Sequence, residues 1–168
     1  MSETSKIRDK ISKYVHGTVF DIGCGNDKIC DFAIGIDGRP VFNGGIIQEG
    51  LINFPENMHG TADIVYSSHV LEHMEDDYAT LISWGKLLKS GGHLILYLPD
   101  GRYYNNYNNP EHMRDYQYEQ FMFFFRRTLC GEAKNFKGEY LPKTFQLVED
   151  GPDIGNDCYS FYLVAKKI

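Results

Sequence analysis

The first run of residues with chemical potential is Asp21-Ile22-Gly23-Cys24-Gly25, directly behind the apolar stretch Val19–Ile22. Glycines in a turn that follows a strand let backbone approach a ligand closely, and the N–H groups beyond such a turn are free to face it. Asp37 ends the next apolar stretch, Ala33-Ile34-Gly35-Ile36. A carboxylate at that point can accept both hydroxyls of a ribose, or it can simply cap a turn. A dinucleotide fingerprint needs a further glycine at position 28, where this chain has Lys28. Asp21 would also repel a phosphate and would suit a ligand with a positive centre. His112, inside Glu111-His112-Met113-Arg114-Asp115, is a candidate general base because its loop is polar and follows a strand end. Its bland alternative is a surface histidine paired with Glu111 or Asp115. Arg114 can grip a carboxylate or phosphate on a substrate, or form an ion pair with the same two acids. Cys24, Cys30, Cys130 and Cys158 form no CxxC pair, so no zinc or other metal site is expected and the thiols are read as free.

These groups need elements to position them. Ile7, Ile11 and Tyr14/Val15 recur at helical spacing within residues 3–15, and Gly17 stops the run. Strands are expected at 19–22, at 33–37, around Ile64-Val65-Tyr66 and at Leu94–Leu98. Between the last two, Tyr78, Leu81, Ile82, Gly85 and Leu88 share a helical face, with Asp76 or Asp77 as cap and Gly91-Gly92 as stop. Phe121, Phe124, Phe125, Thr128 and Leu129 define a later helix, with Met122 and Phe123 turned away from its packed face. Thr144–Val148 and Tyr159–Ala165 read as two final strands around a Gly/Pro/Asp-rich turn at 149–157. Strands alternating with helices predict an α/β, Rossmann-like, doubly wound and mostly parallel sheet closed by a C-terminal antiparallel hairpin. Only about ten residues separate the first two strands, near the lower limit for a parallel crossover, so the helix there must be stunted or replaced by a loop.

The 168 residues suit a single domain. With 42% apolar and 24% charged residues the chain has a globular composition. Its net charge of −6 argues against a nucleic-acid backbone as partner. No apolar run approaches a membrane span, and Met1–Lys6 lacks the apolar core of a secretory signal, so a cytoplasmic location is expected. Composition says nothing about oligomeric state. After Leu98, Asp100 stands at a strand end, and Tyr103-Tyr104-Asn105-Asn106-Tyr107-Asn108-Asn109 combines aromatic faces with amides. Asp100, Tyr103, Tyr104 and Arg114 are the candidate substrate contacts, and such a composition suits a polyhydroxyl or glycan-like ligand. The whole segment 100–115 reads as a cover over the crevice that carries His112.

Asp21-Ile22-Gly23-Cys24-Gly25, Gly35-Ile36-Asp37, Ala62-Asp63-Ile64-Val65-Tyr66-Ser67-Ser68-His69-Val70-Leu71-Glu72-His73 and Leu87-Leu88-Lys89-Ser90-Gly91-Gly92 resemble, in order and spacing, the class I S-adenosylmethionine-dependent methyltransferases of the small "methyltransferase domain 11" type. The resemblance covers residues 19–98. It implies S-adenosyl-L-methionine as cofactor, with Asp21, Gly23, Cys24 and Gly25 along its methionine part, Asp37 on the ribose, and Ser67, Ser68 and His69 flanking the sulfonium. Glu49 is the nearest equivalent of the family's adenine-reading acid, and His69 joins His112 as a second candidate base. His73 is read as part of the helix start. The implied acceptor is a small molecule or glycan precursor. The stunted first helix leaves a non-enzymatic cofactor-binding module as one alternative, and a nicotinamide-dependent oxidoreductase is another.

Overall fold

The structure is a computed structural model, and it describes residues 2–40, 45–104 and 109–168. Helix α1 (Glu3–Ile11) is capped by the Ser2 side chain and ends in a tight 3-10 turn, Ser12–Tyr14. It is followed by β1 (Val19–Ile22), β2 (Ile34–Asp37), β3 (Ile46–Ile47), β4 (Ala62–Ser68), α2 (Asp77–Leu87), β5 (Leu88–Pro99), α3 (Tyr118–Leu129), β6 (Phe145–Gly155) and β7 (Cys158–Lys167). The strands form one seven-stranded sheet in the order β3-β2-β1-β4-β5-β7-β6. The first five in that row pair in parallel, and β7 and β6 add antiparallel ladders. The expected mixed α/β sheet with its closing hairpin is therefore present. The chain reverses direction across the sheet between β1 and β4, which opens a crevice beyond their carboxyl ends.

Alternation along the strands sorts side chains into two cores. On one face Phe20, Ile22, Val65, Leu94 and Leu96 pack with Leu81, Trp84, Phe121 and Phe125 from α2 and α3. On the other, Val19, Ile64, Tyr66, Ile95 and Tyr97 pack with Ile7 and Ile11 of α1. The apolar stripe of α1 thus predicts its burial correctly.

Several expected boundaries move. Gly91-Gly92 does not stop a helix: α2 ends at Leu87, and the glycines lie inside β5, where the ladder to β4 shifts register between Ala62 and Ile64. A Cβ on Gly92 would stand 2.9 Å from the Asp63 carbonyl, so this close strand approach requires glycine. Asp76, not Asp77, is the cap of α2, accepting the Ala79 N–H at 2.9 Å. Tyr78 is exposed rather than packed, and Met122 is buried while Phe123 remains exposed. The expected long turn at 149–157 is mostly strand. Pro152 is tolerated because β6 is an edge strand, and the reversal needs only Asn156 and Asp157, both at positive φ, as in a two-residue type I′ hairpin. The two-residue β3 has no sequence signal of its own.

No helix forms between β1 and β2. The loop that takes its place is fastened from two sides. Asp21 accepts the Ile29 N–H at 2.6 Å, while Arg8 of α1 donates to the Lys28 and Ile29 carbonyls and pairs with the Asp27 carboxylate.

Candidate active site

Beyond the carboxyl ends of β1 and β2 lies a cavity of 820 Å³, within the usual size of small-ligand sites. Gly23 forms part of its floor at φ 72°, and its N–H donates to the Ile36 carbonyl at 2.7 Å. A Cβ there would approach Val70 Cγ2 to 2.2 Å, so only glycine lets β1 turn under the segment that follows β4. Gly25, also at positive φ, donates its N–H to Asp37 Oδ2 at 2.9 Å, and Arg39 N–H reaches Oδ1 at 3.1 Å. Asp37, Gly38 and Arg39 line the cavity. Gly50, Leu51 and Ile52 form a further part of the wall, which the Trp84 indole holds by donating to the Leu51 carbonyl at 2.8 Å.

The structure divides the sequence candidates. Gly23 and Asp37 face this cavity, and Gly25 reaches its edge through Asp37. Glu49 begins the short turn whose next three residues line the wall. Asp21 sits on the α1 side of the sheet, where burial pushes its carboxyl up to about 7 against the opposing Ile29 hydrogen bond. Cys24 is buried, and desolvation, then Asp21 and Asp37, push its thiol up to about 11. Ser67 is buried and donates to the Ile22 carbonyl at 3.0 Å, clamping β4 to β1, and Ser68 ends β4 half-buried. His69 lies behind the cavity with its Nε2 2.9 Å from Ser160 Oγ, and burial lowers its imidazole to about 4.

Asp100 is engaged on both oxygens by Arg102 and by the Tyr118 N–H. Arg114 pairs with Asp77 and donates to the Glu75 carbonyl. Tyr103 is exposed. Tyr104 stacks on His112 and packs against Tyr159. Residues 105–108, the centre of the expected cover and of the asparagine run, lie outside the described residues. What flanks them is tied down: Gly101 N–H bonds the Tyr116 carbonyl, and Met113 N–H bonds the Glu72 carbonyl.

The imidazole that lines the cavity is His73, with Val70, Met74, Glu75 and Glu111 around it. His112 stands one ring further back, edge-on to His73 with centroids 4.6 Å apart. Its pKa is lowered by burial and by His73. Sequence reading gave His73 only a structural role. Its pairing with a residue 39 positions later has no local signal. Glu72 beside it is wholly buried, and desolvation pushes its carboxyl up to about 8.

Comparison with known proteins fits this arrangement. A family model described as a methyltransferase domain matches residues 3–137. The chain belongs to the methyltransferase domain family. It is an S-adenosylmethionine-dependent methyltransferase, with S-adenosylmethionine as cofactor. An S-adenosylmethionine-dependent methyltransferase from Mesorhizobium loti shares the fold at TM-score 0.67 and 12% identity, over 96% of this chain and 98% of that one. The Burkholderia thailandensis 1,6-didemethyltoxoflavin-N1-methyltransferase, solved with its substrate and S-adenosylhomocysteine, gives 0.65 and 10% over 98% and 76%. A methyltransferase from Aquifex aeolicus gives 0.61 and 12% over 98% and 93%. No curated protein matches the sequence. No helix among the described residues is long and apolar enough to cross a membrane.

The free cysteines of this methyltransferase provide a local check. Only thiolate is nucleophilic, and a thiol moved from 9.0 to about 11 has ~100-fold less thiolate at neutral pH. Cys24 should therefore alkylate ~100-fold more slowly than an unshifted thiol, and more slowly than half-exposed Cys158, with a further slowing when S-adenosylhomocysteine is bound. Mass-mapped alkylation measures this, and equal rates at the two positions would contradict the buried turn.

Proposed function

We propose that the cavity at the ends of β1 and β2 binds S-adenosylmethionine and that the methyl acceptor is a small molecule entering past His73 and Glu111. The observation that carries this reading is the presence of Gly23 and Asp37 on one cavity, at the point where the strand order reverses. A carboxylate has about four lone-pair sites, and the Gly25 and Arg39 N–H groups take two of those on Asp37, leaving acceptors for ribose hydroxyls. Leu51, Ile52 and Val70 supply apolar wall for a base. Methyl transfer from a sulfonium is an in-line displacement. The acceptor atom bonds the methyl carbon as the carbon–sulfur bond breaks, and the sulfur leaves with the electron pair as neutral S-adenosylhomocysteine. This chain's contribution is to hold the acceptor on the far side of the methyl group at near-attack distance.

A small acceptor is supported by the acidic net charge and by a neighbour of the same fold whose substrate is the small molecule 1,6-didemethyltoxoflavin. The stacked Tyr104, His112 and Tyr159 rings give aromatic faces suited to a glycan precursor, the narrower form of the same proposal. Asp37→Ala should weaken S-adenosylhomocysteine binding by ~1.5–3 kcal/mol, about 10- to 150-fold, the scale of hydrogen bonds to a charged group. Calorimetry on the folded variant tests this, and unchanged affinity would remove Asp37 from the site.

A further inference from the structure

We propose that Glu72, His73 and His112 form a binding site for one divalent transition-metal ion at the acceptor end of the crevice. One ligand atom from each of the three lies within 4.8 Å of the other two. A tetrahedral site with bonds of about 2.0–2.1 Å needs such atoms about 3.3 Å apart, so binding draws them together by up to about 1.5 Å.

Three further observations point to a cation there. Glu72 is 0% exposed, and neither carboxylate oxygen has a hydrogen-bond partner among the described residues. His69 Nδ1, 3.8 Å from Oε1, is too far to hydrogen-bond, and buried polar atoms are almost always paired, so the two open oxygens call for a ligand. His112 Nδ1 is likewise buried without a partner. His73 Nδ1 lies 3.0 Å from the Glu111 carbonyl, an acceptor only, so Nδ1 carries the hydrogen and Nε2 keeps a free lone pair. An N–H donated to a backbone carbonyl is the usual outer support of a metal-binding imidazole.

The backbone holds the three residues in place from both sides. Glu72 and His73 lie on one 3-10 turn, Leu71–His73, which the His73 N–H closes onto the Val70 carbonyl. The His112 loop is stitched to that turn by the Met113 N–H to the Glu72 carbonyl, and Tyr104 stacks on the His112 ring. Two imidazoles and one carboxylate select zinc, manganese, iron(II), cobalt or nickel over the oxygen-only preference of calcium and magnesium. Three protein ligands leave a coordination position open, as in catalytic rather than structural sites. Because His73 lines the cavity, a polar acceptor group can fill that position. His112 then acts as a ligand and not as a free base.

The test uses the metal alone, without cofactor or acceptor, so it is independent of the methyl-transfer reading. The whole chain is stripped with a chelator and titrated with Co²⁺ by calorimetry and visible absorption, then with Zn²⁺ in competition. One equivalent per chain is expected, with ligand-field absorption and no thiolate charge-transfer band. His73→Ala and His112→Ala should each weaken binding by at least about 100-fold, the upper end of what loss of even an outer-shell partner costs. Glu72→Gln should do the same. If that buried change unfolds the chain by circular dichroism, the two histidine variants carry the test. Sub-stoichiometric binding, wild-type affinity in either histidine variant, or a thiolate band from the cysteines would each overturn the proposal.

Discussion

Stability of the metal-free protein is expected to fall as pH rises from about 4 to 8, and Asp21→Asn should remove a large part of that slope. Asp21 is 1% exposed, and its carboxyl stands at about 7 instead of 3.8. Desolvation is the main cause, Asp27 adds to it, and the Ile29 N–H, Lys28 and Arg8 oppose it. The folded state therefore binds this proton more tightly than the unfolded chain does. The stabilisation is complete below about 4 and is lost as pH climbs through about 7. A shift of about three units corresponds to at most ~4 kcal/mol at ~1.36 kcal/mol per unit. Glu72 acts in the same direction up to about pH 8, so the variant keeps that share of the slope. Buried His69 acts oppositely: its stabilisation is present above about 6.5 and is lost as pH falls through about 4. Asparagine keeps an oxygen for the Ile29 N–H and has no charge to bury. Denaturant titrations at pH 5 and pH 8 should show a smaller difference in unfolding free energy for Asp21→Asn than for the wild type. An identical difference in both proteins would show that Asp21 is not desolvated.

The residues that read correctly from sequence are those whose role is local. Gly23 and Gly25 sit in a turn that backbone sterics reserve for glycine. Asp37 ends the strand Ile34–Asp37, where the sequence places the end of that strand. Asp76 lies one residue before the helix it caps. The misread boundaries all depend on a neighbour that sequence does not display. Gly91-Gly92 resembles a helix stop until β4 is seen to run 2.9 Å from the position of a Cβ. Pro152 resembles a turn until β6 is seen to be an edge. The His73 side of the cavity was the least legible part. His73 and His112 meet because the loop after β5 returns to the turn after β4, through the Met113 N–H bond to Glu72. Asp21 shows the converse case, a motif acid whose nearest partner proves to be the loop that replaces a helix.

Trp84→Ala should destabilise the protein by ~3–5 kcal/mol and weaken cofactor binding as well. Trp84 is the largest fully buried side chain and stands centrally in the core between α2 and the sheet. Truncation loses its transfer free energy and leaves a cavity that α2, held between β4 and β5, closes only in part. The second effect arises from the indole N–H, which donates to the Leu51 carbonyl at 2.8 Å. That carbonyl belongs to a segment with positive φ at Gly50, Leu51 and Asn53, a conformation that persists only where surrounding contacts impose it. Ser83 supplies the other contact from α2, accepting the Asn53 N–H at 3.1 Å. Without the indole, the Leu51–Asn53 segment loses one of its two side-chain hydrogen bonds to α2. Trp84→Phe separates the terms: it retains most of the buried area and removes the N–H with only a small loss of volume. Trp84→Phe should therefore cost less stability than Trp84→Ala, about 1–3 kcal/mol, the range for an unpaired buried acceptor plus a small void. Its S-adenosylhomocysteine affinity should still fall. Chemical denaturation and calorimetry on the two variants measure both terms. Full wild-type affinity in a folded Trp84→Phe protein would show that the wall stands without α2.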